Sequence, residues 1–114
     1  MTQVLLVRCS NGELKACSAK GHSGYSVRGS DIVCASVTTL LRTTLTILEN
    51  TAGLDLGVKA TLRGKLAFKV KKLETIPVDS RKKLVFACDF LETGFQRLEK
   101  EYPAYVSFRV QIID

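Results

Sequence analysis

Apolar and polar residues along this chain follow two different periods, and the switches between them divide it into seven segments. Residues 3–8, QVLLVR, are a short apolar run typical of a buried strand, and Ser10-Asn11-Gly12 supplies the left-handed residues that a tight hairpin needs. Residues 13–20 return as a second strand, with Leu14, Ala16 and Ser18 on one face and Lys15, Cys17 and Ala19 on the other. From 31 to 51 the spacing changes to three and four, an apolar run through Ile32, Val33, Val37, Leu40, Leu41, Leu45 and Leu48 that predicts a helix. The threonines of this stretch favour a strand when taken singly. About twenty uninterrupted residues are too long for a usual strand, however, and Ala52-Gly53 supplies the stop. Residues 56–62 and 65–73 read as a second hairpin turned at Arg63-Gly64, with Leu66, Phe68 and Val70 inward and Lys69 and Lys71 outward. Asp79 or Ser80 then caps a second helix whose seam, Leu84, Cys88, Leu91, Phe95, Leu98 and Tyr102, steps by four and three until Pro103 ends it. Residues 104–113 are the last strand, with Val106, Phe108, Val110 and Ile112 on one face and Arg109 and Gln111 on the other.

The order ββαββαβ predicts a two-layer α+β domain, a mixed or antiparallel sheet with two helices over one face. At 114 residues and 46% apolar content the chain suffices for one core, and a single domain is expected over 1–114. Its strand edges and the apolar residues Tyr105 and Ile113 suggest a homodimer. The formal net charge of +6 and a pI near 9.3 admit nucleic acid or another anionic partner. The charge reads as diffuse. Lys69, Lys71 and Lys72 lie on one candidate strand and Arg81, Lys82 and Lys83 open the second helix, and neither run carries the interleaved rings that base stacking uses. The first residues lack the basic and apolar regions of a signal peptide, and no stretch approaches membrane-spanning length, so a cytoplasmic protein with reduced thiols and no membrane partner is expected.

Four cysteines and one histidine narrow the chemistry. They form no CxxC pair and no ligand cluster, so no metal and no cofactor are expected. With Asn11-Gly12 as a two-residue turn, Cys9 pairs with Leu14 and Cys17 lies three positions further on the opposite face, which forbids a disulfide. Cys88 belongs to the second helix's packing seam. Cys34 is different, because it falls in the first turn of the first helix, where unpaired N–H groups and the positive end of the helix dipole favour a thiolate. His22 precedes it by a loop containing Gly24 and Gly29, flexible enough to fold back over the helix start. A thiol nucleophile, an imidazole base and the N–H groups of Cys34 and Ala35 as oxyanion donors are the parts of a cysteine protease. Ser30 or Asp31 caps this helix, and Asp31 is either only a cap or the residue that orients His22. Between them SGYSVRG reads as a flap hinged at Gly24 and Gly29, in which Tyr25 either lines a subsite for an aromatic substrate residue or packs on the helix. The plain alternative is a buried apolar cysteine beside a solvated histidine.

The run Gly21-His22-Ser23-Gly24-Tyr25, then Gly29, then Asp31-Ile32-Val33-Cys34-Ala35, followed by Val37 and Leu40-Leu41, resembles the signature of the ribosomal-processing cysteine protease Prp family. That family's pattern is GHAGY, a short loop, G-x-DIVCA and a small-residue helix, in a chain of this length and order of elements. The departures are Ser23 and Ser36 in place of alanine and Thr38 in place of serine, and none removes a catalytic group. The resemblance implies Cys34 and His22 as the catalytic pair and Asp31 as their acidic companion. Gly21, Ser23, Gly24, Tyr25, Gly29 and Ala35 are the candidate substrate-binding residues. It further implies a homodimer and a substrate, the N-terminal extension of a large-subunit ribosomal protein, cut after an aromatic residue and before a small one. Two other readings stand beside it: a non-catalytic ribosome- or RNA-associated basic module, whose binding falls with salt and ignores alkylation of Cys34, and a redox-sensing thiol protein, for which no resolving cysteine lies near in sequence.

Overall fold

The computed structural model of the protein describes residues 1–21, 31–61, 64–71 and 75–114. Its elements follow the expected order: β1 (Thr2–Cys9), β2 (Leu14–Lys20), α1 (Ile32–Glu49), β3 (Leu56–Thr61), β4 (Lys65–Val70), α2 (Val78–Glu101) and β5 (Val106–Ile113). The strands make one five-stranded sheet in the order β3-β4-β2-β1-β5, antiparallel except where β5 runs parallel to β1. That one parallel pairing follows from α2, which carries the chain across the sheet before β5 enters at the far edge. Both helices cover the same face and share one core with it. Val4, Leu6, Leu14, Cys17, Leu66, Phe68, Val70 and Val106 from the strands meet Val33, Val37, Leu41, Leu45 and Leu48 of α1 and Leu84, Cys88, Leu91, Phe95 and Leu98 of α2. Phe95 is wholly buried, with its ring 5.6 Å from that of Phe108.

The first hairpin departs from expectation by one residue. Gly12, at φ +94°, follows Ser10 and Asn11 in a longer loop, closed by Cys9 N–H on Glu13 O and Gly12 N–H on Cys9 O. Arg8 rather than Cys9 pairs with Leu14, and the register shifts between Val7 and Arg8, leaving Lys15 as the extra residue of a bulge. The bulge changes the parity of everything beyond it. Leu14 and Cys17 therefore share the core face with Leu6 and Arg8, while Cys9, next to Arg8 and opposite Ile113, falls on the other face, so the two cysteines point opposite ways. Leu14, Cys17 and Ala19 point inward, whereas alternation alone divides them between two faces. Arg8 locks the kink, bonding Glu92 at 2.7 Å, Asp89 at 3.0 Å and the Gly12 carbonyl at 2.9 Å.

Some hydroxyls in and just after α1 bond back onto the helix, while that of Thr44 is buried with no hydrogen-bond partner among the described residues. Thr46 Oγ1 donates to Arg42 O, Thr51 Oγ1 to Ile47 O and Ser36 Oγ to Ile32 O. Contrary to the expectation that no stretch approaches membrane-spanning length, α1 is long and apolar enough to cross one by length and composition. Its apolar stripe, Val33, Val37, Leu41, Leu45 and Leu48, is spent on the core. α2 begins earlier than expected. Pro77 stands at its N-cap, Asp79 lies in the first turn, and the Ser80 hydroxyl donates to Ala52 O instead of capping. Gly94 lets the helices meet, since a Cβ there would stand 3.1 Å from Leu40 Cδ1. In β5 the outward turn of the chain past α2 leaves Ile112 67% exposed, while Tyr105 and Ile113 are half-buried. The expected extensions of β3 to Leu62 and of β4 to Leu73, and the turn residue Arg63, lie outside the described residues; Gly64 of that turn has φ +74°.

The charge, expected to be diffuse, is sorted by the fold. The five strands contain no Asp or Glu at all. Alternation places Lys20, Lys59, Lys65, Lys69 and Arg109 on the sheet face away from the helices, while α2 mixes Asp79, Asp89, Glu92, Glu99 and Glu101 with Arg81, Lys82, Lys83, Arg97 and Lys100.

Candidate active site

Asp31 begins α1 in extended conformation, φ −78° and ψ 104°, and its Oδ1 accepts from Val33 N at 2.9 Å and Cys34 N at 3.0 Å. It is 7% exposed. A buried carboxylate aimed at the first N–H groups satisfies two orphan donors and meets the positive helix end, a cap worth about 1 kcal/mol. Asp31 is thus a helix cap. Its second oxygen, Oδ2, takes neither backbone bond, so capping and orienting a neighbour are compatible roles. Cys34 follows in the first turn, half-buried, with Sγ 3.9 Å from the hydroxyl of Thr2.

The two N–H groups expected to hold an oxyanion are both occupied. Cys34 N–H donates to Asp31 Oδ1, and Ala35 N–H makes the first helical bond, to Asp31 O at 3.1 Å. Using either would break the helix start that positions the thiol. Ala35 itself is exposed beside Cys34.

Gly21 closes β2 at φ +90°, its N–H donating to Gly64 O at 2.7 Å. A Cβ there would stand 2.6 Å from the Met1 carbonyl oxygen and 3.9 Å from Thr2 Cα. Glycine is required twice over, by the dihedral and by the close approach. It fixes the end of β2 against the start of β1. His22, Ser23, Gly24, Tyr25 and Gly29, and with them the flap, lie outside the described residues. The structure nevertheless links the two ends of that segment. A Cβ on Gly21 would reach Thr2 Cα, and the Thr2 hydroxyl lies 3.9 Å from Cys34 Sγ, so Thr2 stands between the end of β2 and the thiol. Thr2 had no sequence signal. It stands 32 positions from Cys34 and arrives there only through the sheet pairing of β1.

The remaining thiols are unsuited to chemistry. Burial pushes Cys17 up to about 12 and Cys88 up to about 11, and raises Cys9 as well. In the native protein near neutral pH, iodoacetamide should add once, at Cys34, and four times after unfolding; intact-mass spectrometry reads both. The same shifts carry a pH dependence. Cys17 and Cys88 stay protonated in the folded chain but ionise from their ordinary value near 9.0 once unfolded. Their contribution to stability is complete below that value and is lost as pH rises through about 11 to about 12. The urea midpoint should be flat with respect to these groups around neutrality and decline above about pH 9.

A model of the cysteine protease Prp family matches residues 1–107. Among solved structures, the chain is similar to the essential ribosomal processing protease Prp from S. aureus bound covalently to a product peptide, at 18% identity over 97% of this chain and 100% of that one, with a TM-score of 0.75. The same S. aureus protease with a substrate peptide matches at 15% identity over 97% and 100% of the two chains, TM-score 0.74. SMU.848 from Streptococcus mutans matches at 26% identity over 98% of this chain and 95% of that one, TM-score 0.73. A comparison with curated proteins finds none that matches. A half-buried thiol on a capped helix start, in a chain whose other cysteines are buried and whose length the family model spans almost entirely, identifies this protein as a member of the cysteine protease Prp family.

Proposed function

We propose that this protein is a cytoplasmic endopeptidase that removes the N-terminal extension of a large-subunit ribosomal protein, with Cys34 as nucleophile, His22 as general base and acid, and Asp31 as the residue that orients His22. The observation that supports the catalytic assignment is the placing of Thr2 beside both the end of β2, from which the chain enters His22, and the Cys34 thiol. In the reaction, His22 takes the Sγ proton as sulfur attacks the scissile carbonyl carbon. The tetrahedral adduct collapses to a thioester as the amine leaves with that proton, and water then hydrolyses the thioester to free the acid and the thiol. Oxyanion donors come from groups other than Cys34 N–H and Ala35 N–H, both of which are engaged in the helix start. Ser23, Gly24, Tyr25 and Gly29 are assigned to substrate contact on the family resemblance. The S. aureus Prp structures with substrate and product peptides support a peptide substrate here. The test is mass spectrometry of a synthetic peptide carrying the ribosomal protein's extension. One cut, after the aromatic and before the small residue, is expected, and a peptide left intact would sink the assignment of substrate.

The same reading includes a homodimer, formed through the helical layer. Phe86, Phe90 and Ile47 are 73%, 45% and 55% exposed and adjoin one another across the hollow between α1 and α2. Large aromatic side chains grouped in this way mark an interface more strongly than the smaller exposed pair Val110 and Ile112 on β5. Phe86→Asp should therefore convert a dimer into a folded monomer in light scattering, while Ile112→Asp leaves the dimer intact. A monomeric wild type, or a dimer lost only through Ile112, would refute this placement.

A further inference from the structure

The sheet has a second face, and nothing in the protease chemistry uses it. Paired residues share a face, so the registers define its surface: Gly57, Lys69, Ala16, Val7 and Gln111 in one row, and Lys59, Ala67, Ser18, Leu5 and Arg109 in the next. Lys20 and Lys65 pair in a third row, and Lys71 continues beyond β4. Lys69 and Lys71 both lay their stems over Gly57, where a Cβ would stand 3.5 Å and 2.9 Å from their Cε atoms. The six cations Lys20, Lys59, Lys65, Lys69, Lys71 and Arg109 are exposed, and among the described residues none makes an ion pair. The acids flanking the strands are Glu13, buried before β2 and paired with Arg81, Asp55, just before β3, and Asp114, after β5.

We infer that this face docks on the phosphate backbone of RNA. The cations are spread over about 20 Å along β4 and a similar width across five strands, from a rise of about 3.3 Å per residue and a strand spacing of about 4.8 Å. Lys59, Lys69 and Lys71 rim a hollow of about 640 Å³ on this face, and Lys20, Lys65 and Arg109 extend the charge beyond it, the footprint of a duplex, which presents charge over an area. An acidic protein partner fits less well, because stable protein interfaces are built on buried aromatic or arginine anchors, and in these strands no aromatic residue is outward and Arg109 stands alone among lysines. The same lack of rings excludes base stacking and makes the contact independent of sequence. A second copy of this chain is disfavoured too, since a two-fold contact would set the lysines against themselves. The face lies across the sheet from α1, so RNA bound there leaves the helix start uncovered, and tethering to RNA would concentrate the enzyme near a ribosomal protein substrate.

The test is fluorescence anisotropy with a labelled RNA duplex of about 24 base pairs, titrated from about 50 to 200 mM salt. The wild type should bind with log affinity falling against log salt at a slope of about −4 to −5. Lys59→Gln/Lys69→Gln/Lys71→Gln should flatten that slope by about 2 to 3. Lys82→Gln/Lys83→Gln/Lys100→Gln, an equal loss of charge on α2, should hold the wild-type slope. Thermal unfolding verifies that both triple variants are folded. Equal weakening in the two variants would reduce the effect to net charge and overturn the proposal. So would failure of the wild type to bind RNA, including the case in which a labelled polyglutamate binds instead and responds to the sheet variant. None of these outcomes depends on peptide cleavage, so the docking face and the protease assignment fail or stand separately.

Discussion

Cys34→Ala should lower cleavage of the extension peptide by about 10⁴-fold or more while leaving the protein folded. The magnitude follows from the role. A nucleophile that forms the covalent intermediate cannot be bypassed by binding energy, and what survives its removal is the residual acceleration from positioning. The structural cost is small because Cys34 is half-buried and its described side-chain contact is a 3.9 Å approach to Thr2, unlike Cys17 and Cys88, which are 1% and 0% exposed in the core. The thermal midpoint of the variant should therefore stay within a few degrees of the wild type. Cys17→Ala gives the opposite pattern: full specific activity in the folded fraction and a lowered midpoint from the cavity. A Cys34→Ala protein that unfolds, or one that still cuts, would return Cys34 to the status of a small buried hydrophobe.

The contrast between these cysteines shows where sequence reading succeeds. Periodicity assigns Cys88 to a packing seam because α2 repeats its apolar residues steadily from Leu84 to Tyr102, and the seam is buried as expected through Leu98. It places Cys34 at a helix start because Asp31 announces the cap, and the carboxylate does accept from Val33 and Cys34. It misjudges Leu14 and Cys17, dividing them between two faces, because strand alternation is read residue by residue, and one extra residue at Lys15 reverses the parity of the whole strand past the bulge. Loop chemistry alone, with Gly12 able to serve a two-residue or a longer turn, does not say where the extra residue goes. The oxyanion donors fail for a related reason: counting N–H groups at a helix start says how many exist, not which are taken by the cap. Thr2 and the one-sided charge are invisible for a third. Both arise from pairing between segments far apart in the chain, Thr2 with Tyr105 and Val106, Lys20 with Lys65, and no local pattern encodes such partners.

Asp31 is the residue whose two roles can be separated by one atom. Asparagine is as good an N-cap as aspartate, so Asp31→Asn keeps an oxygen for Val33 N–H and Cys34 N–H and should leave the thermal midpoint close to that of the wild type. It removes the charge. If Asp31 orients His22 during catalysis, kcat should fall by about 10² to 10⁴ with KM little changed, because the wrong tautomer or rotamer of the imidazole affects the chemical step and not peptide binding. Asp31→Ala should show the same fall in kcat and, in addition, a loss of about 1 kcal/mol of stability, or about 4 to 8 °C, since nothing then accepts from the first turn that holds Cys34. Kinetics and thermal melts on the two variants distinguish the roles. Full activity in Asp31→Asn, with both activity and stability reduced in Asp31→Ala, would make Asp31 a cap alone, one that serves catalysis only by fixing the helix start beneath the thiol.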